Sequence, residues 1–196
     1  MDTNFSKIYS QVADSEWDEL YLLRAAHGKF FSPTIHDGAS LKAMFMQSRN
    51  QEAAAKQILE KMGYSVSYND TLRDVVYALP KDNSAVPDLA CLSKSGRTML
   101  VEVKNIKFTA STHLGLKFNL WVKPGKYTSK QDVIDDIWKY DFHNADYVMF
   151  ITPDLKTYGF IRKKDINIKD ADLPNFNIHG KVPVSFSADV YSWRNA

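Results

Sequence analysis

Val86-Pro87-Asp88-Leu89-Ala90-Cys91-Leu92, then Ser93-Lys94-Ser95-Gly96-Arg97, then Thr98-Met99-Leu100-Val101-Glu102-Val103-Lys104: two extended runs flank a five-residue polar loop that contains a glycine. This pattern predicts a β-hairpin. A loop symmetric about Ser95 sets residues whose numbers sum to 190 opposite each other, which places Asp88 across from Glu102. Side chains alternate along a strand, so Leu100, Glu102 and Lys104 share one face and Met99, Val101 and Val103 the other. Cys91 falls on the face opposite Asp88 and reads as a small buried apolar residue.

Directly opposed residues of an antiparallel pair have Cβ atoms roughly 4.5–5.5 Å apart, where two like charges destabilise a sheet. Two carboxylates kept at that spacing need a shared proton or a divalent cation between them. The cation is the better fit, because Mg²⁺ takes a few carboxylate oxygens together with water and substrate phosphate, and Mn²⁺ can substitute. Lys104, one pleat along the same face, can hold and polarise an attacking water or stabilise charge developing on a phosphate.

Upstream, Leu41, Met44, Phe45, Ser48, Ala55, Ile58, Leu59 and Met62 repeat at three- and four-residue intervals, which predicts a helix over 41–62 with Ser40 before it and Gly63 after. Glu52 lies in the apolar stripe of that helix, three residues before Ala55, and so faces the sheet. A carboxylate there needs a partner, and the hairpin site is the economical one. Tyr64 to Tyr68 alternates as a half-exposed strand does, and Val75 to Leu79 reads as another. A shorter amphipathic helix is expected over about Asp14 to Ala26, with Ser15 as its N-cap. Downstream, Thr128-Ser129-Lys130-Gln131 reads as a capping box opening a helix that buries Val133, Ile134, Ile137 and Trp138. Strands over Tyr147–Ile151 and Tyr158–Ile161 follow, around a Pro153-Asp154 turn. The segment from Lys181 to Trp193 has weak periodicity and suggests no role.

Val86-Pro87-Asp88 followed by Val101-Glu102-Val103-Lys104, behind a helix that carries Glu52 and ends at Gly63-Tyr64, resembles the PD-(D/E)XK phosphodiesterase superfamily, the restriction-endonuclease-like fold. The likeness spans about 41 to 151. It implies an α/β fold, a mixed sheet flanked by helices with an αβββαβ core. It also implies Asp88, Glu102 and the Val103 carbonyl as metal ligands, Lys104 as the catalytic lysine, and Glu52 as the upstream acid that joins them. Members often add a polar residue from the helix after the hairpin, for which Lys130 or Gln131 stands in place. The chain departs from the pattern in a long insert, Asn105 to Tyr127.

That insert is distinctive in charge. Between Val103 and Gln131 there is no acid, while Lys104, Lys107, Lys117, Lys123, Lys126 and Lys130 accumulate beside Phe118, Trp121 and Tyr127. Lysines there can neutralise phosphates while Trp121 stacks on a base or sugar, or the lysines can be a solvated loop with the aromatic rings packed on the core. The whole-chain net charge of +2 carries no such signal.

The 196 residues, 44% hydrophobic, suit one domain with its core over about 41–161, an N-terminal helical extension over 1–39 and a C-terminal extension over 162–196. A single cysteine excludes an internal disulfide and a cysteine-rich zinc site, and the five histidines lack metal-ligand spacing. No apolar run spans a bilayer and no signal-peptide succession opens the chain, so a cytoplasmic protein is expected, in a host cell's cytoplasm if a phage or mobile element encodes it. No phosphate-binding lysine loop, dinucleotide turn or nucleophile elbow occurs. The expectation is a Mg²⁺-dependent endonuclease acting on duplex or branched DNA. A Holliday-junction-resolvase type would act as a homodimer. An RNA-directed nuclease, or a catalytically silent nucleic-acid-binding protein of the same fold, would use the same framework.

Overall fold

A 3₁₀ turn at Asp14–Glu16 leads into α1 (Trp17–Ala26), and α2 (Gly38–Lys61) follows it. In this computed structural model the described residues are 12–26, 34–70, 86–105, 116–121, 127, 129–168, 181–186 and 189–192. Trp17 and Leu20 of α1 pack on Leu41, Phe45 and Met46 of α2. Gly38 sits where the two helices meet: its N–H donates to Asp18 Oδ1 at 3.0 Å, and an added Cβ would lie 2.5 Å from the Asp18 backbone nitrogen. Helix α2 starts three residues earlier than its apolar repeat predicts. Asp37, not Ser40, is the N-cap, accepting from Ser40 N at 2.7 Å, and Ser40 takes the third helical position. The first helix likewise opens on a 3₁₀ turn, with Ser15 inside it and Ala13 at its cap.

Five consecutive residues of α2, Gln51 to Ala55, are buried, so the helix is enclosed on more than its apolar stripe. Its Ala54, Ala55, Ile58 and Leu59 pack against the sheet residues Val66, Leu89, Cys91, Val101, Val103, Met149 and Ile151. The elements after α2 are β1 (Ser65–Tyr68), β2 (Leu89–Leu92), β3 (Thr98–Asn105), β4 (Leu116–Trp121), α3 (Lys130–Tyr140), β5 (Tyr147–Ile151), β6 (Thr157–Ile161), β7 (Ile166–Asn167), β8 (Lys181–Phe186) and β9 (Asp189–Ser192).

The main sheet runs β1-β2-β3-β5-β6-β9. Its pairs are antiparallel except β3 with β5, which is parallel. A parallel neighbour needs a crossover, and α3 lies in that crossover. The chain is thus a mixed α/β structure, and the order helix, three strands, helix, strand is the predicted one, with β4 inserted. The hairpin register is also the predicted one: Leu89 faces Val101 and Ala90 faces Leu100. Its regular pairing begins at Leu89, three residues later than expected, because Pro87 lacks an N–H and Asn69 takes up the preceding backbone, donating from Nδ2 to the Pro87 carbonyl and from its N–H to that of Asp88.

Two expectations change here. Ser129 caps α3, accepting from Asp132 N at 3.2 Å, one residue later than the box read at Thr128 and Gln131. The C-terminal segment has a structural role: β9 pairs with β6 at the edge of the main sheet, and β8 pairs with β4 and β7 in a second sheet. The insert therefore includes a strand. The strand expected over Val75–Leu79 lies outside the described residues.

Candidate metal centre

Register and pleat set the site's geometry. Leu89 opposite Val101 carries Asp88 to the level of Glu102, and Asp88 Oδ2 accepts the Val103 N–H at 2.7 Å. Glu102 and Lys104 share a face, with the Lys104 ammonium donating to Glu102 Oε1 at 2.5 Å. In the parallel pair, Glu102 lies beside Val148 and Lys104 beside Phe150, both buried, so the charged pair is set in an apolar sheet face. Glu102 is only 2% exposed, and its second oxygen, Oε2, is buried with no hydrogen-bond partner.

Glu52 reaches this cluster from α2. Ser48 Oγ donates to its Oε1 at 3.3 Å and the Arg49 guanidinium donates to its Oε2. Arg49, also buried, donates through its other terminal nitrogen to the Asp70 carbonyl at 2.9 Å, and its guanidinium carbon lies 5.2 Å from the centre of the Tyr68 ring. The structure therefore brings together Glu52, Asp88, Glu102 and Lys104, with the Val103 backbone between the last two.

The electrostatics show the crowding. Burial first, then the negative charge of Asp88, pushes the Glu52 carboxyl up to about 7 against the pull of Arg49. Burial and Glu102 likewise push Asp88 up to about 7, against the Val103 N–H and Lys104. Glu102 is also held above the ordinary carboxylate range, by burial foremost and also by Glu52, with Lys104 and the Asp88 backbone opposing. Burial disfavours the Lys104 ammonium, but Glu102 and Asp88 outweigh it and keep its pKa above the ordinary lysine value.

Two residues of the turn after α3 complete the surroundings. His143 Nε2 lies 3.6 Å from Glu102 Oε1, and Asp141 is close enough to Lys104 to feel its charge. His143 and Asn144 both adopt left-handed backbone, at φ 49° and 56°, which His and Asn tolerate better than most residues. Burial, then Lys104, lowers the His143 imidazole to about 4, so it is neutral near pH 7. The sequence gives His143 no ligand spacing and hence no reason to single it out. Arg49 lies one helical turn before Glu52, a spacing that permits a pair without specifying it.

The basic positions fare unevenly. Lys130 and Gln131 are the first two residues of α3, and the Gln131 amide donates to Asp135 rather than to the acids. Lys117 and Trp121 lie in β4, whereas Lys107, Lys123 and Lys126 fall outside the described residues. Cys91 is buried in the core as expected, its thiol pushed up to about 11 by burial. Among the described residues no trio of His, Cys, Asp or Glu side chains is already arranged to hold a metal ion. The donor set nonetheless suits a hard divalent cation: oxygen ligands, crowded negative charge and one buried carboxylate oxygen without a partner.

No helix among the described residues is long and apolar enough to cross a membrane. No family model matches the chain, and no curated protein matches it. Among solved structures it is similar to a bacterial homing endonuclease, I-Ssp6803I, at 12% identity over 77% of this chain and 78% of that one, with a TM-score of 0.34. A likeness of that degree assigns no activity.

Proposed function

We propose that this chain is a divalent-cation-dependent endonuclease that hydrolyses DNA phosphodiester bonds. The observation that carries the reading is Glu102: its buried carboxyl feels the charge of Asp88, one oxygen is held by Lys104, and the other makes no direct hydrogen bond. A folded protein leaves a carboxylate oxygen in that state at considerable cost unless something binds it.

Asp88, Glu102 and the Val103 carbonyl are the groups to hold Mg²⁺, with Mn²⁺ as a substitute. Such an ion, when bound, polarises a phosphoryl oxygen and lowers the pKa of bound water. The chain's own residues supply the rest. Lys104 stays protonated, so it acts as a hydrogen-bond donor and positive charge beside the phosphate, not as a base. The Val103 N–H fixes the Asp88 carboxylate, and Lys104 fixes that of Glu102, so both acids meet a substrate already oriented. The apolar residues beside them, Val148 and Phe150, keep the local dielectric low and strengthen these interactions. Lysines of the acid-free insert, Lys107, Lys117, Lys123 and Lys126, with Lys130, are the groups to neutralise backbone phosphates, and Trp121 the ring to stack.

The test is a cleavage panel: supercoiled plasmid, a four-way junction and a structured RNA, each incubated with the protein in Mg²⁺, Mn²⁺ or EDTA. The expected result is nicking or resolution of DNA in either metal and none in EDTA. Cleavage that persists in EDTA, or DNA binding without cleavage in any metal, would overturn the proposal; the latter result is that of a silent binding protein, and cleavage confined to RNA is that of an RNA-directed nuclease.

A further inference from the structure

Glu52 differs from its two companion acids in one respect: its own helix already engages both of its oxygens, Oε1 through Ser48 and Oε2 through Arg49. The partner is not a loose surface cation. Arg49 is 6% exposed, bonded to the Asp70 carbonyl and stacked on Tyr68, so its guanidinium is held from three directions. Arginine also stays charged under all ordinary conditions. Freeing Glu52 would leave that charge buried without its counter-ion, which is strongly unfavourable.

Charge in the cluster leads to a number. Glu52, Asp88 and Glu102, with Asp141 beside Lys104, face Lys104 and Arg49, which leaves a net formal charge of −2 when all are ionised. One divalent ion brings the site to a net charge of about zero; a second would leave about +2 in a largely buried site, where unpaired charge is costly. The unpartnered oxygen is on Glu102, not on Glu52.

We propose that Arg49 stands in the place of a second cation, so that the site loads one divalent ion on Asp88 and Glu102, with Glu52 a positioning acid held off the metal by Arg49. This inference rests on the metal-dependent reading above. The probe is Mn²⁺ alone, counted by electron paramagnetic resonance during titration of the full chain without DNA. One Mn²⁺ per chain is expected, and Asp88→Asn should abolish its binding. Glu52→Gln should weaken it by about tenfold at most, the lower end of what loss of an outer partner costs. Arg49→Gln, if circular dichroism shows it folded, should bind a second Mn²⁺. Two ions on the wild-type chain, abolition by Glu52→Gln, or a folded Arg49→Gln that still binds one would overturn the inference while leaving the metal site standing. No Mn²⁺ bound at all would overturn both.

Discussion

Lys104 sits two positions after Glu102 and bonds to it directly, so a single strand carries both a proposed ligand and the cation proposed to stabilise charge on the substrate. Lys104→Ala should keep the fold, because the side chain is 36% exposed, and should slow cleavage by at least about a hundredfold at saturating Mg²⁺. A rate within a few fold of wild type would remove Lys104 from the chemistry. The raised acids give a pH signature as well. Glu52 and Asp88 titrate near 7 in the folded chain and well below that unfolded, so the folded state binds more protons and stability falls as pH rises through that range. His143 acts the other way, but only below its ordinary 6.5, because its folded pKa is lowered. In metal-free buffer the unfolding midpoint should therefore drop from about pH 6.5 to about pH 8. Asp88→Asn should flatten that slope, and so should saturating Mg²⁺; a midpoint that climbs across the same window would contradict the crowding of acids.

The hairpin shows which elements local chemistry specifies. Its loop closes through Gly96 N–H to the Ser93 carbonyl and Ser93 N–H to the Arg97 carbonyl, both at 2.9 Å, with Gly96 at φ 80°. A five-residue loop closed this way fixes the register, and the register fixes which acid faces which. Asp88 opposite Glu102 was therefore legible from the letters, as was Glu52 on the buried stripe. Arg49 as the partner of Glu52 was not, since a helical periodicity says which side is buried and not which polar groups meet there. The second sheet was illegible for a related reason: β4 pairs with β8 from far along the chain, Trp121 with Lys181 and Leu116 with Phe186, and strands of six residues carry too little pattern to name a distant partner. Gly96→Ala should cost about 1–2 kcal/mol, since the space around Gly96 is open and only the backbone conformation resists a side chain. Urea unfolding measures this, and cleavage per folded molecule should be unchanged; an unaffected midpoint would mean the loop adopts another turn.

At the scale of the molecule, α2 and the hairpin form one side of the site, and the turn after α3 forms the other, so the centre depends on segments from residue 48 to residue 143 folding together. Substrate affinity is a separate matter of field. The acid-free stretch concentrates lysines that the net charge of +2 conceals. Replacing Lys123 and Lys126 together with alanine should weaken DNA binding uniformly across sequences and reduce the slope of log affinity against log salt by about two. A slope that does not change would leave those lysines as solvated charges. The proposed chemistry requires Asp88 and Glu102 to converge on a divalent ion. Crystals of the protein soaked in Mn²⁺ and measured at a wavelength that excites manganese test this directly. An anomalous peak bridging the two carboxylates is the predicted result, and a map with no peak there, or side chains that turn away from each other, would contradict it.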